Sequence, residues 1–205
     1  MKGIGSALET ILSRRSIREF SRRTVPAELV EFILEAGRRA PSPHDTQPWL
    51  FVAVSTKPDR EALAVTLRDA YLAHLERSGD SEGAVKAERA YRRTLSSPLL
   101  VLLCMDTASL RPQPTRSRRR GENIMGTQAV AAAAENMLLA AHALGIGGCW
   151  RGAPLFCSGA IRRCLGLPPS VEPQVLLELG YAVAGPKRKR LKPKDEVVRY
   201  GLRRR

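Results

Sequence analysis

The sequence predicts an α+β or α/β sandwich, in which helices cover a central sheet. Apolar runs typical of strands alternate with segments of helical periodicity along the chain. The chain has 205 residues, of which 43% are apolar, so it can bury a sizeable core and is too apolar to be disordered. No repeat or break in composition indicates a second domain, and we expect residues 1–205 to form one domain.

The first half of the chain is expected to contain four helices and one strand. Apolar residues at helical spacing indicate the helices, and an apolar and aromatic run that ends at Val54 indicates the strand. Pro26 fits the first turn of the second helix, and Pro41 ends it. A linker rich in Ser, Gly and Asp separates the last two helices. The predicted helices cover residues 5–13, 26–39, 59–76 and 84–95, and the strand covers 49–54.

The second half is expected to contain three strands and two helices. The run from Leu99 to Met105 is apolar throughout, which predicts a central strand buried on both faces. The helix at 123–144 is apolar nearly all round, so we expect deep burial, either in the core or against a partner chain. The basic segment 107–122 is predicted to be a mobile loop, which would suit a lid. The remaining elements are strands at 146–150 and 174–181 and a helix at 158–165.

The chain is strongly basic, with 34 Lys and Arg against 20 Asp and Glu and a net charge of +14. Residues 187–205 alone contain ten basic and two acidic residues, and a second basic cluster covers 116–120. One interpretation is electrostatic binding to a nucleic-acid backbone. The other is attraction of an anionic cofactor and substrate. No aromatic residue is interleaved with the arginines of the second cluster to stack on bases, which favours the second interpretation.

The sequence favours a cytoplasmic location. No run approaches the roughly eighteen apolar residues that span a bilayer. The N-terminus lacks the apolar core of a signal peptide, and Glu9 and Glu19 argue against a transit peptide. The four cysteines form no C-x-x-C pair and the histidines have no zinc-site spacing, so we expect no metal and four free, buried thiols. The cysteines are Cys104, Cys149, Cys157 and Cys164.

The segment Arg14–Arg18 carries three guanidiniums and one hydroxyl within five residues. Guanidiniums bind phosphate bidentately and stay charged at any relevant pH. In an extended segment, alternation places Arg14, Ser16 and Arg18 on one side, where they would hold a phosphate and the polar edge of a ring system. The alternative interpretation is an ordinary solvated basic run.

A loop with three prolines in eight positions, Pro41–Pro48, precedes the first strand. The prolines exclude helix and predict an extended, rigid loop. Its polar side chains are short or planar hydrogen-bonding groups, which suits ligand recognition beside a buried strand. These side chains belong to Ser42, His44, Asp45, Thr46 and Gln47. The alternative is a loop that only connects two elements.

The segment Gly145–Gly152 contains four glycines, which let backbone N–H groups approach a ligand closely. It lacks the G-x-G-x-x-G spacing that opens a helix after a strand, so we do not expect a dinucleotide-binding fold. The alternative is a helix C-cap at Gly145 followed by a tight strand.

These three motifs, in this order and with a basic C-terminal arm, resemble the FMN-dependent nitroreductase family. The family's pattern is R-R-S-x-R, then a P-S-x-x-N-x-Q-P-W loop, then a G-x-G-x-x-W segment, and the resemblance covers nearly the whole chain. The segment Gly148–Phe156 and the pair Pro43–His44 look closest to the reductase domain of the coenzyme F420 ligase proteins. One departure is Asp45, where the family often has Asn, because an ionised carboxylate only accepts hydrogen bonds.

The resemblance implies a three-layer α+β sandwich with a central mixed sheet flanked by helices. It also implies a homodimer in which the arm, residues 186–205, extends over the partner and two FMN molecules lie at the interface. Hydride from NAD(P)H or a similar donor would pass through flavin N5 to a small acceptor such as a nitroaromatic, a quinone or a dehydro precursor of coenzyme F420. No protein side chain is expected to be catalytic.

The resemblance also implies which residues contact FMN. The first motif would hold the phosphate, the ribityl chain and the pyrimidine carbonyl, and the proline-rich loop would lie along the ring and the partner's cofactor. The glycine segment would bring backbone donors to N5, and the arm would close on the phosphate. The residues are Arg14, Arg15, Ser16 and Arg18; Pro41, Ser42, Asp45 and Gln47; Trp150, Arg151 and Gly152; and either Lys189 or Arg190.

Several roles stay open at this point. Ser42 and His44 are expected to contact the substrate, whereas His74 and His142 lie on predicted helices and are expected to be structural. Asp45 either contacts the ring or caps the loop by accepting backbone N–H groups. The predicted function is an FMN-dependent NAD(P)H oxidoreductase. The alternative is a basic flavin- or nucleic-acid-binding protein on the same fold without reductase activity.

Overall fold

The computed structural model describes residues 5–186 and 190–201. Seven α-helices and four β-strands form within these ranges. The helices are α1 (Gly5–Ser13), α2 (Ala27–Arg38), α3 (Lys57–Arg77), α4 (Gly83–Ser96), α5 (Arg116–Ala143), α6 (Pro154–Leu165) and α7 (Lys194–Val197). The strands are β1 (Trp49–Val54), β2 (Leu99–Asp106), β3 (Gly147–Arg151) and β4 (Val171–Gly180).

The strands form one sheet in the order β1-β2-β4-β3, and every neighbouring pair is antiparallel. The prediction of a mixed sheet is wrong for these four strands, since the parallel pairing in the described ranges is a single bridge between Ser16 and Gly148. The connection explains the antiparallel pairing of β1 and β2. Helices α3 and α4 pack together as a hairpin, which returns the chain to the end of the sheet where β1 finishes.

Alternate residues of β2 contribute to two apolar cores, one on each face of the sheet. Leu99, Val101 and Leu103 pack with α2 and α5 in the first core. Leu100 and Leu102 pack with α3 and α6 in the second. The run from Leu99 to Met105 is buried throughout, as its composition predicts. Helices therefore cover both faces, and the predicted three-layer α+β sandwich is confirmed.

From Ala129 onwards, one face of helix α5 is buried within its own chain. Its stripe of small and flexible residues is inaccessible to solvent and packs against α2 and the sheet. The stripe consists of Val130, Ala133, Ala134, Met137 and Ala141. The first core therefore explains the apolar composition of this helix, although Ile124 and Met125 near its start stay exposed.

The start of α5 differs from the prediction. The helix begins at Arg116, so residues 116–122 are helical rather than part of a mobile loop. The hydroxyl of Thr115 accepts a hydrogen bond from the backbone N–H of Arg118 at 3.3 Å and caps the first turn. Arginine is a good helix former, so the basic cluster extends the helix once this cap is in place.

The described part of the C-terminal arm, residues 190–201, is exposed along its whole length. It contains only the four-residue helix α7, and the ammonium of Lys194 lies over the Tyr200 ring at 5.4 Å. Large apolar side chains of this segment, including Leu191 and Tyr200, face solvent within one chain. Among the helices described, none combines the length and the apolar character needed to cross a membrane.

Gly180→Ala is expected to destabilise the fold by about 1–3 kcal/mol through overpacking. A Cβ at this position would lie 2.5 Å and 2.6 Å from ring atoms of Pro98, which cannot rotate away. Gly121→Ala is the matched control, because a Cβ there meets nothing within 4 Å and the helix should gain about 0.5–1 kcal/mol. Urea unfolding of both variants measures the difference. Equal stability of the two variants would contradict this packing.

Candidate functional site

The first and third sequence motifs meet at the edge of the sheet. The backbone N–H of Ile17 donates to the carbonyl oxygen of Gly148 on β3 at 3.0 Å, next to the bridge between Ser16 and Gly148. A Cβ at Gly147 would lie 2.8–3.0 Å from the Ile17 side chain, so a glycine is needed for this close approach. The arginine-rich segment is therefore held along the edge strand.

The arginines of this segment have different environments. Arg14 donates from Nε to Oε1 of Glu135 on α5 at 3.2 Å. Arg15 donates to the backbone carbonyl of Leu12 at 2.6 Å and to that of Arg14 at 2.8 Å. Arg18 has no carboxylate partner in the described ranges and faces an open cleft. Of the three guanidiniums, Arg18 is thus the one available to an external ligand.

This cleft, which we call the arginine groove, has a volume of about 480 Å³. The first motif supplies one wall, and one face of α4 supplies the other. Its polar residues are Ser16, Arg18, Glu19, Arg89, Arg92, Arg93 and Ser96, of which four are arginines and one is an acid. The α4 residues were not predicted from the sequence, although a spacing of three and four places the arginines 89, 92 and 93 on one helical face. Arg92 pairs with Glu88 at 2.7 Å, whereas neither Arg89 nor Arg93 pairs with an acid among the described residues.

A second space, the inner cavity, lies among α3, α4 and α6. Its volume is about 430 Å³, and it shares Arg89 and Arg93 with the groove. Three aromatic rings line it, those of Tyr71, Tyr91 and Phe156. Arg93, Thr94 and Arg151 also line it, and we call these three residues the polar wall.

A buried carboxylate lies behind this polar wall. Glu178 on β4 is inaccessible to solvent, and its Oε1 accepts from the hydroxyl of Thr94 at 2.8 Å and lies 3.4 Å from Nη1 of Arg151. The Nε of Arg93 is buried without a hydrogen-bond partner. Burial, and then the nearby charge of Arg151, lowers the pKa of Arg93. The sequence signal that was missed is a lone glutamate inside the apolar run of β4.

The proline-rich loop does not have the predicted extended form. Pro43–Asp45 forms a 3-10 turn, and His44, Asp45 and Gln47 have left-handed φ values of 53°, 54° and 47°. Bonds inside the loop favour this compact shape. The hydroxyl of Ser42 accepts from the Gln47 N–H at 3.0 Å, and the Asp45 carboxylate accepts from the Gln47 side-chain amide at 3.2 Å. The carboxylate thus bonds within the loop, through a side chain rather than through the backbone.

This loop lies apart from the other two motifs within one chain. It precedes β1 at one edge of the sheet, whereas Ser16 lies against β3 at the opposite edge. Its neighbour is the first part of α5, where Nε2 of His44 lies 3.9 Å from Oε2 of the buried Glu122. One copy of the chain therefore does not assemble all the predicted contacts around one point.

The remaining predicted contacts lie near the groove or on the arm. Trp150 is on β3 with 38% of its surface exposed, and Gly152 follows that strand. Its carbonyl accepts the N–H of Leu155 at 3.1 Å. Arg190 is exposed on the arm, and Lys189 lies outside the described residues.

A comparison with protein families decides what kind of protein this is. The nitroreductase family model matches residues 11–181, which include all three motifs. The chain belongs to the nitroreductase family. The resemblance found in the sequence is confirmed at the family level.

Relatives and solved structures agree with this family membership. A protein of Methanothermobacter thermautotrophicus, provisionally named NADH dehydrogenase/NAD(P)H nitroreductase, is 30% identical over 93% of this chain and 84% of its own length. A provisionally named nitroreductase of Desulfovibrio desulfuricans, solved in complex with FMN, has a TM-score of 0.76 at 24% identity over 97% of this chain and 98% of its own. The NADPH:FMN oxidoreductase of Vibrio harveyi, solved with NAD+, has a TM-score of 0.73 at 23% identity over 97% and 78%. At these identities the structures establish the fold.

Cys104 and Cys157 do not have the environment of reactive redox thiols, which are partly exposed and have a lowered pKa. Cys104, Cys149 and Cys157 are buried, whereas the prediction of burial is wrong for Cys164 at the exposed end of α6. Burial raises the pKa of Cys104 to about 12 and that of Cys157 to about 11, so both stay protonated at neutral pH.

The two histidines on helices have local partners. His142 lies 2.9 Å from the hydroxyl of Ser13, and the His74 ring packs against Phe156 with ring centroids 5.8 Å apart. Both contacts are consistent with the predicted structural roles. His44 differs from them, because it is on the proline-rich loop and its side chain is 45% exposed.

Proposed function

We propose that this chain is an FMN-dependent oxidoreductase, which passes hydride from NAD(P)H to a small organic acceptor. The observation that carries the proposal is the arginine groove, in a chain that belongs to the nitroreductase family. The groove offers hydrogen-bond donors from Arg18, Arg89 and Ser16, and the two arginines have no carboxylate partner among the described residues. Such a groove attracts an anionic cofactor.

The donor set fits FMN. The phosphate and the carbonyl groups of the flavin ring accept hydrogen bonds, and guanidiniums supply donors in a planar fork that matches a phosphate. When bound, FMN supplies the hydride chemistry at its N5 atom.

The chain's own residues would bind and orient the cofactor. We assign the phosphate and the ribityl chain to the Arg14–Arg18 segment and to Lys189 or Arg190 of the arm. Trp150, Arg151 and Gly152 would bring the edge of β3 to the ring. Positive charge from Arg18 and its neighbours would favour the anionic reduced flavin. Ser42 and His44 would contact the acceptor, which is a nitroaromatic, a quinone or a dehydro precursor of coenzyme F420.

Flavin titration tests the groove directly. The FMN-free protein is expected to bind FMN at least about tenfold more tightly than riboflavin, because riboflavin lacks the phosphate that the guanidiniums bind. Quenching of flavin fluorescence gives both dissociation constants. Failure to bind either flavin would contradict the proposal. Equal affinity for the two would show that the arginines do not bind the phosphate.

We also propose a cytoplasmic location, where the four thiols stay reduced.

We propose that two copies of the chain form the complete site. The proline-rich loop is at the opposite edge of the sheet from Arg18, so Pro41, Ser42, Asp45 and Gln47 would reach the flavin bound by the partner. The arm, residues 186–205, would extend over the second copy, and its described part, residues 190–201, is exposed within one chain. Helices α1 and α2 both pack against α5, and a dimer would also cover the apolar side chains that these three helices expose. These include Leu8, Leu12, Phe32, Ile124 and Met125.

The dimer is expected to be obligate and to bury more than roughly 2,000 Å² in total. Static light scattering at micromolar concentration should therefore give twice the chain mass of 22.5 kDa. Deletion of the arm after Pro186 should weaken the dimer, because it removes Leu191, Val197 and Tyr200 from the proposed interface. A monomer mass for full-length protein with FMN bound would contradict the two-copy site.

Asp45→Asn is expected to leave the FMN midpoint potential within about 30 mV, which corresponds to 1.4 kcal/mol for a two-electron couple. The Asp45 carboxylate bonds to the Gln47 amide, and asparagine tolerates the left-handed φ of 54°. Potentiometric titration of the FMN-loaded variant measures the change. A larger shift would show that Asp45 interacts with the ring of a bound flavin.

A further inference from the structure

The inner cavity has the size and lining of a small-molecule pocket. Its volume of about 430 Å³ lies within the range of roughly 300–1,000 Å³ that such pockets occupy. Leu67 and Leu176 contribute apolar surface, and the rings of Tyr71, Tyr91 and Phe156 line the same space. Aromatic rings favour offset or edge-to-face packing with another ring. The apolar part of the cavity therefore suits a planar aromatic group.

Two of the cations that line the cavity are paired with acids. Arg68 pairs with Asp69, and Lys86 pairs with Asp80. Each of these cations is therefore compensated at the rim.

The charges at the polar wall are not balanced, because two arginines lie beside one carboxylate. Glu178 interacts with two cations. It forms a salt bridge with Arg151 at 3.4 Å, and its negative charge also interacts electrostatically with the guanidinium of Arg93. Arg93 forms no salt bridge in the described ranges. Its Nε is buried without a hydrogen-bond partner, and so is Oε2 of Glu178. A neutral ligand with no acceptor would leave this donor unsatisfied at a cost of about 1–3 kcal/mol. An acid group would satisfy it and balance the net charge of the wall.

We propose that the acceptor is a planar aromatic molecule that carries an acid group, and that the inner cavity selects it through Arg93 and the three rings. The inference rests on the proposed reductase function and names its substrate class. The cavity and the arginine groove share Arg89 and Arg93 as lining residues, which would place an acceptor in the cavity beside a flavin in the groove. Carboxylate, phosphate and sulfonate groups all meet the requirement.

A matched pair of probes tests the preference. 4-Nitrobenzoate and 4-nitrobenzamide have nearly the same shape, but only the first is an anion. With each probe, the hydride of NADPH and one proton convert the nitro group to a nitroso group and water, and NADPH becomes NADP+. The FMN-loaded full chain is assayed with both probes at saturating NADPH, and rates are normalised to bound flavin. The measured quantity is the ratio of kcat/KM for the anion to kcat/KM for the amide.

Three variants separate a local contact from general charge attraction. Arg93→Gln should lower the ratio by about tenfold to a hundredfold, mainly through the KM of the anion. Arg93→Lys should retain most of the ratio because it keeps the charge. Arg77→Gln removes the same charge from an exposed site at the end of α3, outside the groove and the cavity, and should leave the ratio unchanged.

An unchanged ratio in Arg93→Gln would overturn the inference. An equal fall in Arg77→Gln would also overturn it, since long-range attraction by the basic chain would then explain the preference. If neither nitro compound is reduced, calorimetric titration of 4-nitrobenzoate into the FMN-loaded chain decides the matter separately. Binding that Arg93→Gln weakens would support the cavity site while the reductase function fails, and absence of binding would overturn both.

Discussion

Arg18→Ala should weaken FMN binding by about tenfold to a hundredfold, because it removes a charge-assisted hydrogen bond worth roughly 1.5–3 kcal/mol. Arg14 and Arg15 are engaged by Glu135 and by backbone carbonyls, whereas Arg18 faces the groove without an acid partner. Isothermal titration of FMN into FMN-free protein gives the dissociation constant.

The control for this substitution is Arg22→Ala. Arg22 is exposed four residues further along and lies outside the groove, so its removal lowers the net charge equally. We expect the FMN dissociation constant of this variant to stay within about twofold of the original, because screened surface charges contribute little. If Arg18→Ala binds FMN as the unchanged chain does, the first motif is not the phosphate site.

The second large effect is expected at the buried carboxylate. Glu178→Ala should destabilise the protein by about 3–5 kcal/mol, because it leaves Arg151 in a poorly solvated site without its partner and removes the acceptor of the Thr94 hydroxyl. Only 17% of the Arg151 side chain is exposed. Denaturant unfolding followed by circular dichroism measures the loss.

A double substitution shows whether the loss comes from the unpaired charge. Glu178→Leu with Arg151→Met replaces the pair with apolar groups of similar size and should recover most of the stability, as replaced buried ion pairs do. The recovery should be incomplete, because the Thr94 hydroxyl still lacks its acceptor. If the double variant has a lower free energy of unfolding than Glu178→Ala, the unpaired charge is not the cause of the loss, and the ion pair itself contributes net stability.

Much of the fold could be predicted from apolar patterning. The run from Leu99 to Met105 allows no polar face, and it is the buried central strand. The long apolar helix is in the core because its small side chains let α2 and the sheet approach it. The sequence predicts the start of this helix at residue 123, seven residues too late, because the prolines and arginines before it indicate a loop. The observed start depends on a cap formed by a single hydroxyl, that of Thr115.

The candidate site was predictable only in part. The motifs at Arg14 and Gly145 are far apart in sequence, and their contact along β3 depends on strand order, which local patterns do not specify. The α4 arginines were missed because a polar helix face is usually solvated. Glu178 was missed because its neighbours are all apolar and its partners come from other elements. The compact form of the proline-rich loop depends on hydrogen bonds of Ser42 and Gln47 that compete with an extended chain.

Hydride transfer to a bound flavin is the central claim, and anaerobic mixing of the FMN-loaded protein with NADPH or NADH tests it most directly. The flavin's visible absorbance should bleach upon addition of one equivalent of at least one of the two donors, and it should return when an acceptor such as 4-nitrobenzoate is added. The Arg22→Ala variant should behave in the same way. A protein that binds FMN but keeps its full visible absorbance with both donors would contradict the reductase function and leave a flavin-binding protein without that activity.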